Sequence, residues 1–118
     1  MVLRLRVRIY LNNADSRASF WLIQSIEYFV ESLPEVPQSF MTEMYSGVIP
    51  IDTNNTDRGL FFVFQPTVGE PVDEVAIWFN GGPGCSSLEG FLQETGLIRW
   101  TWGQYAPEIN PYSWGRFV

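Results

Sequence analysis

The sequence contains no histidine and no lysine, a single cysteine, and no apolar run approaching the ~20 residues a membrane-spanning helix requires. Each absence closes a route. Without histidine, the chain cannot complete a Ser-His-Asp triad from its own side chains. With Cys85 alone there is no internal disulfide; the count favours a buried thiol over a partner outside the chain. Thirteen acidic residues against seven arginines give a net charge of −6. That balance excludes the basic face that nucleic-acid binding needs, and otherwise speaks only for solubility. No metal site, no cofactor and no membrane span are expected.

What is present is apolar: 46% of the 118 residues are hydrophobic and 16% aromatic, ample for one small domain. Met1 to Asn13 alternates, with Leu3, Leu5, Val7, Ile9 and Leu11 on one face and Arg4, Arg6, Arg8 and Tyr10 on the other. Period two predicts a strand, and the arginines make it a poor signal peptide. Phe20 to Leu33 reads as a short amphipathic helix or a frayed segment, ended by Pro34 and Pro37. Strands follow at Tyr45–Ile51, Leu60–Phe64 and Val75–Phe79, the last expected to be buried on both faces. Asp52 to Gly59 reads as a hairpin turn and Gly69 to Asp73 as a loop. Asn54-Asn55-Thr56 is an N-glycosylation sequon with Asn54 as acceptor. Ser86 to Thr95 is read as a helix, with Leu88, Phe91 and Leu92 on one side, stopped by Gly96. Gln104 to Pro111 looks like loop.

Between the third strand and that helix lies Asn80-Gly81-Gly82-Pro83-Gly84. Glycines permit positive φ and let backbone amides approach a ligand closely, and Pro83 stiffens the turn. Convergent N–H groups there suit a carboxylate, a phosphate or a tetrahedral oxyanion. No Gly-Lys-Ser/Thr follows, so a P-loop is disfavoured; the proline breaks a dinucleotide fingerprint. Ser86 and Ser87 do not sit in Gly-x-Ser-x-Gly, because Leu88 stands where the second glycine belongs. Their expected role is to cap the helix.

Trp78-Phe79-Asn80-Gly81-Gly82-Pro83-Gly84-Cys85-Ser86-Ser87-Leu88 resembles the W-L-N-G-G-P-G-C-S-S-L motif of the serine carboxypeptidases. Tyr45-Ser46-Gly47, Leu60-Phe61-Phe62-Val63-Phe64, Glu94-Thr95-Gly96 and Asn110-Pro111-Tyr112-Ser113-Trp114 resemble further motifs of that family, in the same order. The resemblance covers about residues 43 to 115. It implies an α/β fold: the incomplete N-terminal part of an α/β-hydrolase sheet, with three or more strands, the glycine loop and one helix. Residues 1–24 are unassigned, and 25–118 would be the N-terminal portion of the carboxypeptidase-like domain.

The implied activity is release of single residues from peptide C-termini, the peptide C-terminus being the partner. Asn80 and the Gly81 N–H would bind the terminal carboxylate, Glu94 would hydrogen-bond it, Gly82 would supply one oxyanion-hole N–H, and Trp78 would line the site. Cys85 would enter a disulfide with a partner later in the family pattern. The family is secretory, vacuolar or lysosomal. Glu94 can face a carboxylate only by sharing a proton, so an intact enzyme is expected to work best in acid. The family's G-E-S-Y-A-G nucleophile motif is not in the sequence. The chain is therefore expected to be truncated and inactive by itself, with apolar strands left uncovered. The alternatives are a non-catalytic peptide-binding remnant, an unproductive fragment, or an acyltransferase parent on the same scaffold.

Overall fold

The computed structural model of the chain describes residues 2–6, 27–55, 57–69 and 74–116. Strand β1 (Val2–Arg6) pairs antiparallel with β4 (Glu74–Trp78), Val2 opposite Trp78 and Arg6 opposite Glu74. The alternating N-terminus is thus a strand at least to Arg6; residues 7–13 of that expectation lie outside the described residues. Strands β2 (Tyr45–Pro50) and β3 (Gly59–Phe64) form an antiparallel hairpin with Tyr45 opposite Phe64 and Pro50 opposite Gly59. The polar linker closes it as expected. Asp52 and Asn55 side chains accept the Asn54 and Asp57 N–H groups at 2.9 and 3.0 Å, the local bonding that makes Asp and Asn turn formers.

Helix α1 (Ser87–Gly90) runs directly into a π-helical turn, Phe91–Thr95. Two short strands, β5 (Ile98–Arg99) and β6 (Glu108–Ile109), then pair antiparallel. The described strands therefore make three separate two-stranded sheets around a glycine loop and one short helix. The mixed strand-and-helix content is the one expected, in pieces rather than as one continuous sheet. No described helix is long and apolar enough to cross a membrane.

Four local expectations need correction. The start of the Phe20–Leu33 segment, read as a short helix or a frayed stretch, lies outside the described residues; Glu27 is helical, and from Tyr28 to Leu33 the chain is not. Phe29 bridges to Tyr45, the Val30 N–H donates to the Met44 carbonyl at 2.9 Å, and the Ser46 N–H donates to the Tyr28 carbonyl at 2.8 Å. Aromatic and β-branched residues at 28–30 favour pairing at the open edge of β2 over continuing a helix. Second, Val75 to Trp78 are half-buried and Phe79 is exposed, because among the described residues β4 has one neighbour instead of two. Third, Gln104–Pro111 is not all loop, since Glu108–Ile109 pairs with Ile98–Arg99. Fourth, Cys85 is an exposed free thiol, not a buried one, because it sits in the glycine loop at the surface. The Gly69–Asp73 loop is described only at Gly69.

Buried apolar side chains among the described residues are few: Met44, Leu97 and Ile98. Leu97 and Ile98 follow the π turn closely, and Met44 stands just before β2 of the hairpin.

Candidate functional site

Strand β4 ends at Trp78, and the chain turns through Gly81–Gly84 before α1 begins. Gly82 and Gly84 take φ of 135° and 103°, a region closed to side chains. A Cβ on Gly82 would also stand 3.1 Å from the Gly84 nitrogen. The glycines thus make the reversal possible and leave its backbone exposed. Neither the Gly81 nor the Gly82 N–H makes a hydrogen bond among the described residues.

The serines hold both ends of this turn. Ser86 is the N-cap of α1 and its hydroxyl accepts the Leu88 N–H at 3.2 Å. Ser87 Oγ accepts the Asn80 N–H at 3.2 Å, tying the start of the loop to the start of the helix. Capping is the role expected of Ser86, and Ser87 adds a clasp across the loop.

Trp78 and Asn80 meet directly. Trp78 Nε1–H donates to Asn80 Oδ1 at 2.6 Å. An indole N–H only donates, so this contact fixes which end of the Asn80 amide is oxygen. The amide carbonyl is occupied, and the two Nδ2 protons have no partner among the described residues. Asn80 thereby presents its Nδ2 donors next to the two unpaired backbone N–H groups of Gly81 and Gly82. Trp114 packs edge-on against Trp78, ring centroids 5.8 Å apart, and holds the indole from its other side.

Gly90 is buried and brings the helix against this pair. A Cβ at Gly90 would lie 2.3 Å from Trp78 Nε1 and 2.8 Å from Asn80 Oδ1. The apolar side expected at Leu88 is displaced, for Leu88 is exposed and Gly90 makes the contact. The sequence held a signal: a glycine inside a helix costs about 1 kcal/mol relative to alanine and so marks a close approach.

Glu94 lies four residues beyond Gly90, about one helical turn, and so falls near the same side of the helix. Its residue is exposed, and no hydrogen bond joins it to Asn80, Gly81 or Gly82. It sits in the π turn, closed by a Gly96 N–H to Phe91 carbonyl bond of 2.8 Å. Single π turns within helices recur at functional sites. The structure therefore brings Trp78 and Asn80 into contact beside the exposed Gly81 and Gly82, and places Glu94 on the helical segment that follows. Asn54 stands apart, exposed at the tip of the β2–β3 hairpin, with Thr56 of its sequon outside the described residues.

Two residues beneath this arrangement had no role in the sequence reading beyond their motif. Asn110 and Ser113 are buried polar side chains, 3% and 0% exposed. Asn110 Nδ2 donates to the Glu94 and Gly96 carbonyls at 2.9 and 2.8 Å, and Ser113 Oγ donates to the Thr95 carbonyl at 3.2 Å.

Comparison with known proteins places these residues in context. The family model described as serine carboxypeptidase matches residues 34–118. Serine-type carboxypeptidase F of Aspergillus niger is 64% identical over 87 residues, covering 74% of this chain and 16% of that protein. A probable serine carboxypeptidase of Arthroderma benhamiae is 48% identical over 88 residues, 73% of this chain and 16% of its own length. Pheromone-processing carboxypeptidase kex1 of Neosartorya fischeri is 36% identical over 92 residues, 78% of this chain and 14% of its own. The chain thus spans a small part of the relatives it matches. No solved structure matches it.

Proposed function

Since the chain belongs to the serine carboxypeptidase family, we propose that it carries the part of a serine-type carboxypeptidase that recognises the substrate's free C-terminus. The strands, loop and helix are then the N-terminal part of an α/β-hydrolase sheet, with residues 25–118 as its portion of the domain. One observation supports this reading above the others. The Trp78 bond to Asn80 Oδ1 turns the Asn80 amide into a donor, next to the unpaired Gly81 and Gly82 N–H groups.

An exopeptidase must favour a terminal carboxylate, and neutral donors do this without a basic side chain. In this reading Asn80 Nδ2 and the Gly81 N–H hold the carboxylate. The Gly82 N–H faces the oxygen that gains charge as the scissile carbonyl is attacked, and Trp78 lines the site and orients Asn80. Glu94 contributes a hydrogen bond only while one proton is shared between the two carboxyl groups, so its contribution grows in acid. These 118 residues contain no histidine, so a Ser-His-Asp triad is not completed by their side chains alone. The chain by itself therefore binds and does not hydrolyse.

The test is a titration of the chain with a short peptide bearing a free C-terminal carboxylate and with the same peptide amidated. The free acid is expected to bind at least about tenfold more tightly, the worth of one or two charge-assisted hydrogen bonds. Equal affinity for the two peptides would remove the carboxylate role of Asn80 and Gly81.

A further inference from the structure

An α-helix leaves its last four carbonyls without partners inside the helix. Here the final carbonyls of the π turn are taken by groups from outside it. The Leu92 carbonyl accepts the Trp100 N–H at 2.8 Å. The Glu94 carbonyl accepts Asn110 Nδ2, and the Thr95 carbonyl accepts Ser113 Oγ. Asn110 Nδ2 also reaches the Gly96 carbonyl, and the Asn110 N–H donates to the Leu97 carbonyl at 2.9 Å.

This clamp is internally complete. Asn110 Oδ1 accepts the Tyr112 N–H at 3.0 Å, so both ends of its amide are used and its orientation is fixed. Ser113 Oγ accepts the Gly115 N–H at 3.1 Å while donating to Thr95. Trp114, next in sequence, is the ring that packs against Trp78. One short segment therefore touches both halves of the candidate site: Asn110 and Ser113 the backbone of Glu94 and Thr95, Trp114 the indole that orients Asn80.

We infer that Asn110 and Ser113 are positioning residues for Glu94. They act as a capping device supplied from sixteen to eighteen residues away along the chain, holding the π turn in the one geometry that aims the Glu94 carboxyl. An exposed carboxyl on a free helix end would sample many directions. Pinning the carbonyls of residues 94, 95 and 96 leaves it only its side-chain rotamers. The inference rests on the reading that Glu94 shares a proton with the bound carboxylate.

The test measures the ratio of free-acid to amide affinity in mildly acidic buffer. The variants are Asn110→Asp, Ser113→Ala, Glu94→Gln and the Asn110→Asp/Glu94→Gln pair, each in the full chain. Asn110→Asp keeps the shape but, protonated as a buried carboxyl facing carbonyls is in acid, offers one O–H donor where the amide offered two. It is expected to lower the ratio about fivefold while leaving amide affinity unchanged, and to lower it no further in the Glu94→Gln background. Should Asn110→Asp fail to fold, Ser113→Ala carries the same test with a loss of about twofold, because it frees one carbonyl only. Acid and amide affinities falling together, or an Asn110→Asp loss that adds in full to that of Glu94→Gln, would overturn the positioning role. A wild-type chain with no acid preference overturns the carboxylate reading and this inference with it. A wild-type preference that survives Asn110→Asp and Ser113→Ala unchanged overturns this inference alone.

Discussion

The β2–β3 hairpin and the segment from Trp78 to Trp114 invert each other. In the hairpin, Val48, Ile49, Leu60, Phe61 and Phe64 are apolar and exposed. In the second region Asn110 and Ser113 are polar and buried. The hairpin is held by its backbone ladder and by ring contacts such as Tyr28 on Phe62, centroids 5.4 Å apart. The second region is held by side chains bonded to specific carbonyls and by indole against indole. Apolar sequence is thus no guide to where this chain buries its side chains. Burial depends on having a neighbouring layer, and the segment around Tyr28 covers only part of the hairpin, whereas a hydrogen-bonded network needs only its own partners.

The sharpest way to break the contrast is Gly90→Val. Its Cβ alone would overlap Trp78 Nε1 and Asn80 Oδ1, and the branched side chain has nowhere to go. A loss of about 3 kcal/mol in denaturant unfolding is expected, in the upper range for overpacking. Acid-peptide binding should be lost with it, because the Trp78–Asn80 bond must open. A Gly90→Val chain with unchanged stability would show that the helix does not rest on Trp78.

The hairpin should answer differently. Phe61→Ser replaces an exposed ring, so stability is expected to stay within about 0.5 kcal/mol of the parent, the usual range for exposed sites. Self-association should fall, since an exposed apolar strand at a sheet edge is a template for pairing with other chains. Sedimentation velocity against concentration reads this directly. A stability loss of several kcal/mol would mean that Phe61 is covered in solution and that the two regions are more alike than their exposures suggest.

The features written locally were the ones legible in the sequence. The hairpin followed from Asp and Asn in its turn and from apolar runs on either side. The glycine loop, the Ser86 cap and the halt at Gly96 were readable because capping and positive φ depend on one or a few residues. Tyr28–Val30 was missed because an amphipathic pattern does not say whether a sheet edge will be nearby to recruit it. Cys85 was misplaced because a single thiol's burial depends on the loop around it. In the candidate site, Trp78, Asn80, Gly81, Gly82 and Glu94 were named from motif resemblance, and the Trp78–Asn80 contact gives two of them a direct physical link. Asn110 and Ser113 stood in a motif without a role. Their partners lie fourteen to eighteen residues away, and no periodicity encodes a side chain that caps another segment's carbonyls.

The smallest expected effect lies at the edge of the second region and asks whether surface charge contributes to it. Arg99 of β5 donates through Nε to Glu108 of β6 at 2.9 Å, and its Nη2 contacts the same carboxylate oxygen. The Arg99 hydrogen bond, with its charge, holds the Glu108 carboxyl below the ordinary glutamate range. A folded-state pKa below the unfolded one means the pair contributes stability above the unfolded value, near 4.3, and loses it as pH falls through the folded pKa. Glu108→Gln should therefore lower stability slightly at neutral pH and not at all in strong acid. Because the pair is open to solvent, added salt should shrink even that difference. Denaturant midpoints of parent and variant that run parallel from neutral to acid would show that β5 and β6 are joined by Asn110 and the backbone alone. The second region would then owe nothing to charge, and its contrast with the hairpin would rest on buried neutral hydrogen bonds and the Trp78–Trp114 contact.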